Sequence, residues 1–147
     1  MNTNMNTAMD TNVNAADIRE ITVGAGEEVR PQWPAGDASE NWSETEWRVF
    51  GDEAQGRFFG GAWQGAPGTL RLDYPYDEVC VMLTGRIALV DNAGGRREFG
   101  AGQAFFVPRG FSGTWITIEE SQKVFIALGP FSNTNTAQNP TGKDPQP

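Results

Sequence analysis

Through the middle of the chain, apolar and polar residues alternate in short runs, each closed by glycine, proline or an Asn/Asp cluster. Period-two alternation over about four to eight residues is the mark of a half-buried strand. It predicts strands over 18–23, 46–51, 56–64, 68–74, 78–83, 85–91, 96–100, 104–108, 113–118 and 123–128. Asp91-Asn92-Ala93-Gly94-Gly95 reads as a hairpin turn, because Asn and Gly tolerate positive φ. Residues 31–46 hold Pro31, Pro34 and Gly36 and read as an ordered loop or a short helical turn. Trp33, Trp42 and Trp47 are its packing anchors. No stretch keeps a helical period over three turns.

The ends differ. Residues 1–17 and 132–147 are rich in Asn, Thr, Gln and Pro and lack apolar periodicity. They are expected to be disordered tails around one domain at 18–131, since they cannot bury enough surface to offset chain entropy. Eighteen glycines and 11% aromatic residues in a 147-residue chain favour an all-β domain over a helical bundle.

Charge removes several classes of function. The net charge is −8 and the pI about 4.4, with eleven Lys and Arg spread thinly. A basic face for nucleic acid or for an anionic membrane is therefore not expected. Cys80 is the one cysteine, so neither an intrachain disulfide nor a cysteine zinc finger can form. The N-terminal stretch has no basic start followed by an apolar run, which argues against a signal peptide and for a cytoplasmic location.

Two spaced patterns carry more information. Gly65, five residues, Arg71-Leu72-Asp73, four residues, Glu78, six residues and Gly85 form the first. Gly102, five residues and Pro108-Arg109-Gly110 form the second, with sixteen residues between Gly85 and Gly102. Glycine and proline at these places end strands and turn corners between facing sheets. The spacing resembles the two signature motifs of the cupin superfamily, which implies a small double-stranded β-helix. The resemblance puts the usual histidine ligands at Arg71, Asp73 and Gly113, and leaves Glu78 as the one remaining ligand. There is no histidine anywhere in the chain. A guanidinium repels a cation and cannot ligate it. Asp73, Glu78 and Cys80 are a weaker alternative ligand set. No metal and no cofactor is expected.

From Trp63 to Lys123 the likeness is more specific. Trp63, Pro67-Gly68, Asp77-Glu78-Val79-Cys80, Leu83-Thr84-Gly85-Arg86, Pro108-Arg109-Gly110, Gly113-Thr114-Trp115 and Gln122-Lys123 follow in order. This is similar to the single-domain cupins named for (S)-ureidoglycine aminohydrolase. That resemblance implies a barrel that is often a homodimer, with few assigned reactions. A buried Glu78 needs a partner, for which Arg71 and Lys123 are the candidates, the latter carried over by that resemblance.

Alternation then predicts the wall. With Glu78 inward, Cys80 and Met82 share its face, and the register that fits the motif turns Arg71 and Asp73 inward. A slip of one residue would instead turn Leu70, Leu72 and Tyr74 in. Glu78 and Lys123 are the candidate catalytic pair. Trp63, Arg71, Asp73, Tyr76, Cys80, Phe105 and Trp115 are candidate ligand contacts. For Cys80 and Trp115, plain core packing is the competing account. Arg86, Arg96, Arg97 and Glu98 read as a solvated face, and Arg109 as an exposed turn residue.

Three functions fit these residues. One is a metal-free barrel that binds a small polar or charged metabolite. Another is a metal-independent isomerase, lyase or aminohydrolase-like enzyme with Glu78 as acid or base. The last is a dimerising protein whose barrel is simply filled.

Overall fold

Two long strands organise the protein, whose computed structural model describes residues 12–131. They are β5 (Asp77–Asp91) and β8 (Ser112–Leu128), paired antiparallel along almost their whole length. The others are β1 (Glu27–Val29), β2 (Glu44–Gly51), β3 (Phe58–Gly65), β4 (Gly68–Asp73), β6 (Arg96–Gly100) and β7 (Ala104–Val107). Helix among the described residues is limited to two 3-10 turns, Ala15–Asp17 and Glu53–Gln55. None is long and apolar enough to cross a membrane.

The first half of β5 pairs with β7 and with the second half of β8, which also pairs with β3. The second half of β5 pairs with β6 and with the first half of β8, which also pairs with β4. One eight-stranded antiparallel sheet thus folds into two walls, β1-β2-β3-β8-β5-β7 and β4-β8-β5-β6. This is the expected all-β barrel. Its inner faces meet in a core that includes Phe59, Trp63, Leu70, Met82, Ile87, Leu89, Val107, Trp115 and Phe125.

The bend between walls falls where register breaks, from Met82 to Ile87 of β5. Gly85 sits there at φ +84°, in the left-handed region that a Cβ disfavours. Fully buried Ser121 clamps the corner: its hydroxyl donates to the Glu119 carbonyl at 2.7 Å and accepts from the Arg86 N–H at 3.0 Å. Gly85 therefore bends one strand rather than separating two, and segments 78–83 and 85–91 are continuous. Segments 113–118 and 123–128 are likewise one strand.

Segment 18–23 is not a strand. Ile18 is 80% exposed, and Arg19 is tied instead to the Val49 carbonyl at 2.6 Å. The first strand comes later, at β1, a charged edge paired with β2 that apolar alternation cannot reveal. Of the expected tails, residues 1–11 and 132–147 lie outside the described residues. Asn14 caps the turn at Ala15–Asp17 through the Ala16 N–H at 2.9 Å. Around the 91–95 turn the reading holds: Asp91 accepts from Ala93 and Gly95, and Arg86 and Arg96 hold exposed Glu98. Hydrogen bonds from Arg96 and then Arg86 lower the Glu98 pKa from its ordinary value.

Candidate functional site

The first wall presents an inverted alternation on β2. Thr45, Trp47 and Val49 point outward, while Glu44, Glu46 and Arg48 point toward the barrel interior, as their inward partners show. Register across the sheet puts Glu46, Trp63, Lys123 and Met82 in one row, with Arg48, Gly61, Phe125 and Cys80 in the next. These side chains meet Leu70, Leu72 and Tyr74 of the opposite wall around a cavity of about 40 Å³. Trp33 and Trp42 close it from the loop before β2. A water needs about 10–15 Å³, so there is room for roughly three waters or a ligand of a few heavy atoms.

Three buried polar groups sit together at its inner end. Lys123 Nζ lies 3.5 Å from Glu78 Oε2 and 3.4 Å from Cys80 Sγ, with Lys123 4% and Glu78 3% exposed. The ammonium also lies over the Trp115 ring at 4.2 Å and the Trp63 ring at 5.0 Å. Both contacts favour the charged amine. The Tyr74 phenol donates a hydrogen bond to Glu78. Burial first, and then the Glu78 charge, push the Tyr74 pKa well above its ordinary value.

That shift has a pH consequence. Below about pH 10 the phenol is protonated in both folded and unfolded chains; above it only the unfolded chain releases the proton. Stability is therefore lost as pH climbs past that point. In a Tyr76→Phe variant, where Tyr74 is the sole tyrosine, tyrosinate absorbance is expected to appear only with unfolding seen by circular dichroism. Reversible ionisation at the ordinary value in the folded protein would contradict it.

Near the mouth, Glu44 accepts from three indole N–H groups: Trp33 at 2.6 Å, Trp63 at 2.7 Å and Trp42 at 3.1 Å. Gly65 makes this geometry available, since a Cβ there would stand 2.4 Å from the Trp63 ring. Glu46, 1% exposed, is held by Arg48 at 3.0 Å, and Arg48 reaches on to Glu53 at 3.2 Å. Burial works to lower the Arg48 pKa, but Glu46 and Glu53 outweigh it and leave it raised.

Of the residues singled out from sequence, Trp63, Tyr76, Glu78, Trp115 and Lys123 line this cavity. Cys80 lies beneath it against Lys123. Trp115 is also core, its indole donating to Thr117 at 3.0 Å. The β4 register corrects the motif reading. Leu70 and Leu72 face inward, and Arg71 and Asp73 are about half exposed. Arg71 spends its guanidinium on the Gly113 carbonyl at 3.2 Å, and Asp73 accepts from Ser112. Asp73 reaches only the cavity rim. The cause is burial: two leucines gain more by facing the core than a guanidinium and a carboxylate would. Phe105 stacks on Phe99 at 4.3 Å, away from the cavity. Arg109 ties the Pro75 and Pro130 carbonyls together.

Tyr74, one of the aromatic candidates for the mouth, lines the cavity, whereas Glu44, Glu46, Trp33 and Trp42 are site residues that the sequence reading does not single out. Glu-Thr-Glu-Trp-Arg-Val was the available signal, because its apolar members occupy one strand face and its charges the other.

These residues do not fit a divalent metal. The inward positions of β4 are aliphatic, and Glu78 faces an ammonium. A side chain at Gly113 would meet the Val90 carbonyl oxygen at 2.1 Å from its Cβ. Among the described residues no cluster of three Asp, Glu, Cys or His is placed to hold a metal.

Residues 52–125, half of the chain, match the EutQ-like cupin domain. Among solved structures, the putative ethanolamine utilization protein EutQ of Salmonella typhimurium is 18% identical, with a TM-score of 0.56 over 68% of this chain and 79% of that one. EutQ of Clostridium difficile is 14% identical, with a TM-score of 0.55 over 67% and 81%. A DUF861 protein of unknown function from Pseudomonas syringae reaches 0.59 at 18% identity, over 69% of this chain and 44% of that one. Likeness at this identity establishes the fold. No curated protein matches the chain.

Proposed function

The chain belongs to the EutQ-like cupin family, and we propose that it is a metal-free barrel that binds a small polar or charged metabolite beside Glu78 and Lys123. One observation carries this reading. A buried ion pair, which a merely filled barrel would replace at no loss with apolar side chains, borders open space instead. The order of side chains from Trp63 to Lys123 also supports kinship with the ureidoglycine aminohydrolase-type branch. What such kinship carries over is the barrel and not the reaction.

The test is a thermal-shift screen against small acids, amines, ureides and sugars at constant ionic strength. A ligand at about 100 times its Kd stabilises the folded state by about 2.7 kcal/mol. Uniform failure to shift Tm would leave a filled barrel. A second reading, metal-independent catalysis, is favoured by the contiguity of Tyr74, Glu78 and Lys123, a chain of groups able to pass a proton. Turnover of a hit that Glu78→Gln abolishes while leaving its binding intact would establish that reading in place of the first.

The reading extends to a homodimer. The outer face of the first wall carries Val79, Val81, Leu83, Phe106, Val124 and Ile126, with Phe106 54% and Leu83 42% exposed. Gly60 and Ala62 continue it on β3. A flat uncharged face of this kind suits a second copy about a two-fold axis. Sedimentation equilibrium is expected to give a dimer that Phe106→Glu dissociates; a monomeric parent protein at micromolar concentration would refute it.

A further inference from the structure

We infer that residues 32–36 form a flap that carries Trp33 as the door of the cavity, with Glu44 as its latch. The inference rests on the cavity being a binding site, as proposed above, and adds the route by which a ligand enters. The first observation is what lies on the far side of the door. Trp33, Trp42 and Glu44 border the cavity of about 40 Å³, and the same three residues border an outer hollow of about 270 Å³. Arg30, Gln32, Ala38, Ser39 and Ser43 also line that vestibule. Two indoles and one carboxylate are therefore the partition between the two spaces. The inner one holds only a few heavy atoms, whereas the two joined reach about the 300 Å³ at which small-molecule pockets begin.

The second observation is how each part of the partition is held. Gln32, Pro34, Ala35 and Gly36 are exposed, and Trp33 is the one residue of the five that turns inward. Between Pro31 and Gly36, no backbone hydrogen bond among the described residues joins the loop to a strand. Firm attachment returns on either side. Pro31 is buried, and the Asp37 carbonyl accepts from the Arg71 N–H at 2.8 Å. The Ser39 N–H donates to the Thr69 carbonyl at 2.9 Å, and the Thr69 N–H to Ser39 Oγ at 3.0 Å. Trp42 belongs to that fixed side, since its backbone N–H donates to the Ser39 carbonyl at 3.0 Å. The other irregular part of the rim, at Tyr74 to Tyr76, is fastened from outside. Tyr74 exchanges backbone bonds of 2.9 Å with Phe111 and Gly110, and Arg109 holds the Pro75 carbonyl at 2.9 Å. A segment with few buried groups and an exposed backbone opens at lower cost than the sheet beside it. What closes this one is the Trp33 indole donating to Glu44 at 2.6 Å, a charge-assisted bond at the mouth.

Hydrogen exchange of the indole N–H groups, read in nitrogen-15 spectra of the full chain, tests the flap with no ligand present. Trp33 is expected to exchange through a local opening whose rate does not respond to urea below the unfolding transition. Trp63, 4% exposed, and Trp115, 3% exposed, are expected to exchange only through global unfolding, and so to speed up as urea is added. Trp63 is the sharper control, because it donates to the same carboxylate from β3. Exchange of Trp33 only by global unfolding, or opening of Trp63 together with Trp33, would overturn the flap. Glu44→Gln removes the charge from the latch and is expected to raise the Trp33 exchange rate about tenfold. An unchanged rate would mean that Glu44 is not the latch. The urea series is run on the unaltered protein, so it stands even if that variant fails to fold. Trp33→Ala removes the door itself. Quenching of the remaining tryptophans by acrylamide, a neutral probe, is expected to increase although a half-buried indole has been taken away. An unchanged or lower quenching constant would mean that the cavity stays shut, and would overturn the route while leaving the cavity reading intact. A thermal-shift screen without a single hit would remove the binding site, and the entry route with it, whatever the exchange rates show.

Discussion

Lys123→Met is expected to destabilise the barrel by about 3–5 kcal/mol, the usual result of leaving one member of a buried ion pair behind. The Glu78 carboxyl would then be left in a site 3% exposed, with the Tyr74 hydroxyl in place but no ammonium 3.5 Å away. Methionine fills nearly the same volume, so little of the loss comes from packing. Glu78→Gln leaves an ammonium still supported by two indole faces and is expected to cost less. Adding Glu78→Gln to Lys123→Met should restore most of the loss, because no carboxyl is left stranded without its partner. Urea unfolding of the four proteins gives the coupling as a double-mutant cycle. Additive losses, or a Lys123→Met cost below about 1 kcal/mol, would mean that the pair is not a unit.

Gly85→Ala should be at least as damaging, and its control is built into the same chain. At φ +84° any Cβ carries the left-handed penalty of about 1–2 kcal/mol. At Gly85 the added carbon would also stand 2.2 Å from Ser121 Oγ, 2.4 Å from the Glu120 carbonyl oxygen and 2.6 Å from Ser121 Cα. Two of those atoms are backbone of β8, which cannot yield without opening the corner. A loss beyond about 3 kcal/mol, or failure to fold, is expected. Gly102 has nearly the same φ, +86°, with nothing within 4 Å of its hypothetical Cβ. Gly102→Ala should therefore show the conformational penalty alone. Equal losses at the two sites would mean that the corner is soft and the contact relieved.

The barrel was readable because its corners are written in glycine and proline, which have few other reasons to recur at fixed gaps. Gly85, Gly102 and Gly110 all adopt positive φ. Spacing does not say whether such a glycine ends a strand or bends one, so from sequence alone β5 reads as two strands. Family order offered Lys123 as one of two candidate partners for Glu78, and the other, Arg71, turns out to lie on the outer face of β4. Arg71 and Asp73 misled because motif position and hydrophobic burial disagreed by one residue, and burial decided the register. Glu44 and Glu46 escaped notice for a related reason. Charged positions on a strand are read as solvent-facing, yet here the polar face of β2 is the inner one. Its outer face carries Trp47 and Val49.

The chain has five tryptophans, and four of them, Trp33, Trp42, Trp63 and Trp115, border the cavity. Three of these donate to one carboxylate, and the fourth lies against the lysine ammonium. Indole emission responds to nearby charge and to water, so the intrinsic fluorescence of this protein is in large part the fluorescence of its cavity. Occupancy of the barrel can accordingly be followed in real time by colour and intensity, with no label attached and no assumption about what the ligand does next.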